Sequence, residues 1–296
     1  MLARALASVA AQSVTPGEVI IVNNGNEMIA PDCARLTVMG IDVRVLDLPE
    51  ARNAAVVRNH GVARARFRYI AFLDDDDEWL PEKMAAQLDY LRDHPDCSAV
   101  SCGRRVVSTG GIRSEVPGVE TIDRLLAYDN FGGSFSFIVF DRERTPRLIL
   151  DETLTAFQDW DFLLRAAKFG RVGIVSLELA LYHDHPAPRI TNVIPGRRRS
   201  LKRILVTHRL SLPRDARRWI LSRIWGLRAR ERVAAGFSRV RVMDDVVLSL
   251  KWGIQCRLPF WLKTRALGGR LLVFLPNGFA LSARQWIKRF PAALIL

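Results

Sequence analysis

Long apolar runs are missing from this chain of 296 residues: no stretch reaches the eighteen or so uninterrupted apolar residues that a membrane-spanning helix needs. The longest approach, Leu271 to Leu281, is broken by Pro276, Asn277 and Gly278. The N-terminus has no basic region followed by a long apolar core, so no secretory signal is expected. Cysteine is sparse. Cys33, Cys97, Cys102 and Cys256 show neither CxxC spacing nor a partnering histidine cluster, and they read as reduced thiols of a cytoplasmic protein. Acidic residues run short in one region only. From Arg189 to Leu296, 24 Lys+Arg face 4 Asp+Glu, whereas Met1 to Pro188 holds 20 against 27. The formal net charge of +13 therefore combines a mildly acidic first part with a strongly basic tail suited to meeting phosphates.

With 49% apolar residues the chain is not of a disordered class, and its length allows one large or two modest domains. Its centre of organisation is Tyr69 to Lys83, YIAFLDDDDEWLPEK. Tyr69 to Leu73 has the pattern of a strand buried on both faces. It runs into Asp74, Asp75, Asp76, Asp77 and Glu78, and a helix is expected from Glu82. Carboxylates crowded at the end of a strand repel one another unless a cation neutralises them, and all-oxygen ligation suits Mg²⁺ or Mn²⁺. A solvated acidic turn capping the next helix is the plainer reading.

Upstream, Met1 to Gln12 has helical composition, Glu18 to Val22 and Val43 to Leu46 read as strands, and Ala51 to Arg66 reads as a helix. Strand, turn, helix and strand in this rhythm predict an α/β fold with a mostly parallel sheet flanked by helices. Downstream, DWDFLLRAAKFG reads as a helix ending at Gly170.

The strings EVIIVNNG, VRNHGVARA, YIAFLDDDDEWLPEKMAAQ, NFGGSFSFIVFDRE, LDETLTAFQDWDFLLRAAKFG and LALYHDH, in this order over roughly Met1 to Asn192, resemble glycosyltransferase family 2. The resemblance implies a GT-A, Rossmann-like domain over 1–192 that takes a nucleotide-diphosphate sugar. Asp76 then corresponds to the metal ligand and Asp74 lies nearer the ribose, with Asn23, Asn24, Arg58 and Asp75 also on the donor side. Asp77 stays open between an outer-shell and a solvated role. Asp159 corresponds to the catalytic base of inverting members, preceded here by Gln158 where the family usually has Glu. His185 corresponds to a metal and diphosphate position, with a surface histidine pair, His183 and His185, as the alternative. Gly133, Ser134 and Trp160 fall on the acceptor side.

The family's opening strand, similar to VSVVIPTYN, has no counterpart in this sequence, and its usual VDDGS is Val22-Asn23-Asn24-Gly25-Asn26. The expected function is an inverting transfer to a glycan or lipid-linked acceptor in surface polysaccharide or glycolipid synthesis. A truncated, non-catalytic binding module is the competing reading. The remainder, 193–296, reads as a basic, Trp- and Arg-rich helical region with Trp219, Trp225, Trp252, Trp261 and Trp286. It is either a helical cap with a solvated basic face or a set of interfacial helices on an anionic membrane surface, peripheral on the inner face of the cell membrane. Nucleic-acid binding has no fold signature to support it.

Overall fold

Leu2, Leu6, Val9 and Ala10 share one face of helix α1 (Leu2–Ala10), and that face is buried or half-buried in the computed structural model of the protein. The structure describes residues 1–25, 33, 36–51, 53–116, 126–130, 132–184, 194–238 and 240–254. The chain divides into two compact units, Met1–Thr153 with Gln158–Ala187, and Leu154–Phe157 with Pro188–Leu296.

In the first unit, β1 (Glu18–Asn23) pairs in parallel with β2 (Asp42–Asp47) as a two-stranded sheet. Helix α2 (Ala54–Arg64) starts at Asn53, whose side-chain oxygen accepts from the Ala55 amide at 2.8 Å, an N-terminal cap. The second sheet has six strands: β3 (Tyr69–Ala71), β4 (Glu78–Trp79), β5 (Cys97–Ser108), β6 (Gly111–Glu115), β7 (Val139–Asp141) and β8 (Arg171–Asp184). They are ordered β3-β7-β5-β8-β4, with β6 on β5. Helix α3 (Lys83–Asp93) precedes β5, and α4 (Gln158–Ala166) precedes β8.

The α/β class holds, and the larger sheet is mixed where the opening rhythm of the chain predicted mostly parallel pairing. The reason lies in the connections. Parallel neighbours need a crossover of a dozen or more residues. Only β5 and β8, with α4 leading into β8, pair in parallel there. β6 returns from β5 through a two-residue turn, Thr109-Gly110, with Gly111 at φ +110°, and is antiparallel. β7 enters between β3 and β5 and runs against both.

β3 is also shorter than Tyr69 to Leu73, and its three residues are half-buried rather than sealed on both faces. Its ladder stops at Ala71 opposite Val139 because the residues before Val139 form a 3₁₀ turn, Phe135–Phe137, which offers no extended edge. Helix α4 ends at Ala166, four residues short of Gly170. At Gly170 a side chain would lie 2.5 Å from the Asp96 carbonyl oxygen, so glycine there serves a close backbone approach.

The second unit contains α5 (Ile194–Thr207), α6 (Arg214–Ala234), a 3₁₀ turn at Val240–Val242 and α7 (Met243–Ile254). Leu201, Ile204, Trp219, Ile220, Ile224 and Val246 are buried. Ser222 Oγ donates to the Ser249 carbonyl and Ser249 Oγ donates back to the Ser222 carbonyl, at 2.5 and 2.8 Å, stitching α6 to α7. The stretch carrying Trp261 and Trp286 lies outside the described residues. No helix among the described residues is long and apolar enough to cross a membrane.

Candidate active site

Four phenylalanines bring the distant motifs together. Phe72 ends the β3 segment, Phe135 opens the 3₁₀ turn, Phe140 is in β7, and Phe162 lies one turn into α4. Phe72 meets Phe135, Phe140 and Phe162 at centroid separations of 5.0, 5.7 and 5.8 Å. Phe162 also meets Phe135 and Phe140 at 5.6 and 5.1 Å. These near-perpendicular and offset contacts suit the ring quadrupoles. Asp74 follows Phe72 by two residues and Asp159 precedes Phe162 by three, so packing the rings brings both carboxylates within reach of each other's charge.

Ser136, fully buried between two of those rings in sequence, organises the acidic end. Its Oγ accepts from the Asp74 amide at 3.1 Å and also bonds the Asp77 carboxylate. Its carbonyl accepts from Trp79 Nε1 at 2.8 Å. Asp77 is 1% exposed, and one of its oxygens, Oδ2, is buried without a hydrogen-bond partner. Burial is the largest influence on its carboxyl, and with the charges of Asp74 and Asp76 it pushes the pKa up to about 7 against the Ser136 and His183 bonds.

Asp74, Asp76 and Asp77 each offer an oxygen, and these atoms lie within 4.8 Å of one another. An all-carboxylate set with a buried, unpartnered oxygen fits a hard divalent cation. Asp75 is exposed, and Asp76 is half-exposed. Strand β4 pairs Glu78 with Leu181 and Trp79 with Ala180, which carries His183 to this end of the sheet. There His183 Nε2 lies 2.6 Å from Glu78 Oε1, and its amide donates to Asp77 Oδ1 at 3.4 Å. His185 lies outside the described residues.

The other side of the site is Asp159 in the first turn of α4. It is half-buried, accepts from the Trp160 amide at 2.9 Å and bonds the Asn130 side chain. Burial raises its pKa to about 6, Asp74 adds to the rise, and the Trp160 amide, Asn130 and Arg58 oppose it. Asp74 and Asp159 thus feel each other's charge. Arg58 stands between them: it pairs with Asp74, reaches Gln158 Oε1 at 3.4 Å and lies 4.3 Å over the Phe135 ring. Gln158 Nε2 in turn donates to the cap residue Asn53 at 2.8 Å. A glutamate at 158 has no donor for that bond, so Gln158 fits a link that Glu does not. The second acid of the motif, Asp161, is buried and tied to Arg165 at 2.6 Å, which leaves Asp159 as the one that faces the site.

One short loop touches both sides. Asn130 Nδ2 donates to the Gly133 carbonyl at 2.8 Å, and Ser134 Oγ donates to Asp74 Oδ2 at 3.3 Å. Gly133 has φ +76°, and a side chain on it would meet Arg104 Nη1 at 2.6 Å and the Phe137 ring at 2.7 Å. Asn23 and Asn24 end β1. Asn23 donates to Asp47 at 3.0 Å and accepts from the Gly25 amide at 3.1 Å, while Asn24 donates to the Ala51 carbonyl at 3.5 Å, two residues before Asn53.

Trp160 requires a correction. It is fully buried and its indole N–H donates to the Leu126 carbonyl at 2.6 Å, so it anchors α4 and presents no face to an acceptor. Asn130 and Ser136 lie within the string NFGGSFSFIVFDRE but have no signal of their own beyond nearness to the Gly132-Gly133 turn. The carboxylate run gives Asp77 an outer-shell or solvated role, and here it stands in the cluster with Asp74 and Asp76.

Residues 1–145 match the model of the family described as Glycosyl transferase family 2. The chain is 28% identical over 191 residues to the uncharacterised glycosyltransferase YwdF of Bacillus subtilis, covering 61% of this chain and 68% of that one. It is 25% identical over 185 residues to the amylovoran biosynthesis glycosyltransferase AmsB of Erwinia amylovora, covering 58% and 62%. About a third of each relative therefore has no counterpart in the match. Its fold is similar to that of S. aureus TarS 1–349, solved in complex with UDP-GlcNAc, with a TM-score of 0.59 at 14% identity over 96% of this chain and 83% of that one.

Proposed function

We propose that this chain, whose first 145 residues match the glycosyltransferase family 2 model, is an inverting transferase in surface polysaccharide or glycolipid synthesis. The donor is a nucleotide-diphosphate sugar, with uridine nucleotides the first to test because TarS was solved with UDP-GlcNAc and with UDP. The acceptor is a glycan or a lipid-linked hydroxyl. The enzyme works in the cytoplasm, peripheral on the inner face of the cell membrane.

The observation that carries this reading is the nearness of Asp159, with its raised pKa, to Asp74 of the Asp74–Asp76–Asp77 cluster and to Arg58, which pairs with Asp74. In the reaction Asp159 takes the proton of the acceptor hydroxyl as its oxygen bonds to the anomeric carbon. The bond from that carbon to the diphosphate oxygen breaks, its electron pair leaves with the nucleoside diphosphate, and the configuration inverts through an oxocarbenium-like transition state. General-base help of this kind contributes about 10²–10⁴-fold. Arg58 holds Asp74 and keeps positive charge beside Asp159 in its ionised form. Asp74, Asp76 and Asp77 would hold Mg²⁺ or Mn²⁺, which when bound supplies Lewis-acid stabilisation of the departing diphosphate. The loop from Asn130 to Ser134 orients both sides and borders the acceptor. Gly133 allows the backbone to come close.

The test pairs two measurements. Nucleotide-sugars are screened with Mn²⁺ for thermal stabilisation, and transfer is then assayed for the wild type and Asp159→Asn. Loss of transfer with donor stabilisation retained is expected. Full turnover by Asp159→Asn overturns the role of the base, and donor stabilisation without any wild-type turnover makes the chain a nucleotide-binding module instead.

A further inference from the structure

The exposed face of α5 sets cations and aliphatic side chains side by side. Leu201 and Ile204 point inward and are fully buried. Arg199, Lys202, Arg203 and Val206 recur at three- and four-residue spacing on the opposite, exposed side, and Arg209 and Leu210 continue that side into the following turn. Val206 is 66% and Leu210 89% exposed.

The unit's four acids are spent elsewhere or lie on another helix. Asp215 pairs with Arg218 at 3.5 Å, Glu231 with Arg198 at 2.6 Å, and Asp245 with Arg232 at 2.9 Å and Arg228 at 3.6 Å. Asp244 is on α7. Among the described residues, Arg199, Lys202 and Arg209 have no carboxylate partner.

We propose that this α5 face, Arg199, Lys202, Arg203 and Arg209 with Val206 and Leu210, docks the protein on an anionic phospholipid bilayer. Cations at headgroup level and aliphatic side chains just below it are what an interfacial helix needs. A nucleic-acid surface would have little use for two water-exposed aliphatics set among the cations, and the stretch offers no aromatic stacking platform. The proposal deepens the peripheral-membrane part of the function proposed above, and its test reads no turnover, so either can fail alone.

The full chain is sedimented with vesicles of phosphatidylcholine alone or with a third phosphatidylglycerol, at low and physiological salt. Binding to the anionic vesicles that weakens with salt is expected, with little to the neutral ones. Arg199→Glu combined with Lys202→Glu should lower the anionic-vesicle affinity at least about tenfold, since each cation near such a surface contributes about a fivefold factor. Leu210→Asp should remove the binding that survives at physiological salt. Far-UV circular dichroism and donor-induced thermal stabilisation of both variants should match the wild type. Unchanged vesicle binding by the charge-reversed variant overturns the proposal, as does equal binding to neutral vesicles. So does a DNA duplex that binds as tightly as the anionic vesicles and loses its affinity in the same variant.

Discussion

Asp159 is the residue on which acidity and stability pull in opposite directions. Its carboxyl holds a proton more tightly in the folded chain than in the unfolded one, because burial disfavours the charge. Folding stability contributed at this site therefore falls as pH rises from the ordinary carboxylate range to about 6. In the proposed reaction the ionised form is the base, so kcat/KM should rise across the same window with a limb near 6. Asp159→Asn should consequently melt higher than the wild type at pH 7.5, with the difference vanishing near pH 4. Asn130 favours the ionised form through its hydrogen bond. Asn130→Ala should move the kinetic limb upward in pH, a shift that a merely structural loss of folded protein would not produce. The motif singles out Asp159 as a candidate base. Asn130 was not legible, because an asparagine 29 positions upstream acquires its meaning only once the loop has folded against α4.

Among the elements, β7 and the 3₁₀ turn before it carry the most consequence for the site. Ser136 holds the Asp74 amide and the Asp77 carboxylate at once. Ser136→Ala leaves a half-buried amide without this acceptor, which costs about 1 kcal/mol. It should lower the Tm and weaken stabilisation by Mn²⁺ together, with Ser136→Thr recovering part of both. Phe162 contacts three of the other rings that join α4 to β3 and β7. Phe162→Ala should cost about 3–5 kcal/mol by denaturant unfolding. It should also blunt transfer out of proportion to the folded fraction, since Asp159 rides on the same helix.

Sequence periodicity made α1, β1, β2, α2 and the Asp74–Asp77 turn readable, because each is a local pattern of apolar spacing followed by turn residues. The short β3 and the mixed sheet were not readable. They follow from the antiparallel entry of β7, a pairing between residues about 70 positions apart that no local pattern encodes. Trp160 misled for the same reason. Beside a candidate base an indole looks like a sugar platform, and only the Leu126 carbonyl shows that it is a buried anchor.

For the molecule as a whole, charge separates by unit: the acidic cluster is in the first, and the basic face of α5 is in the second. Raising salt should therefore weaken vesicle binding while leaving the kinetic limb of Asp159 nearly in place, because a half-buried group is screened far less than an exposed one. The ring cluster has one further effect. Phe72, Phe135, Phe140 and Phe162 close a span of some ninety residues. Closing so long a span carries a loop-entropy cost that no local helix bears, so Asp74 and Asp159 come together only once the chain from Phe72 to Phe162 has closed on itself.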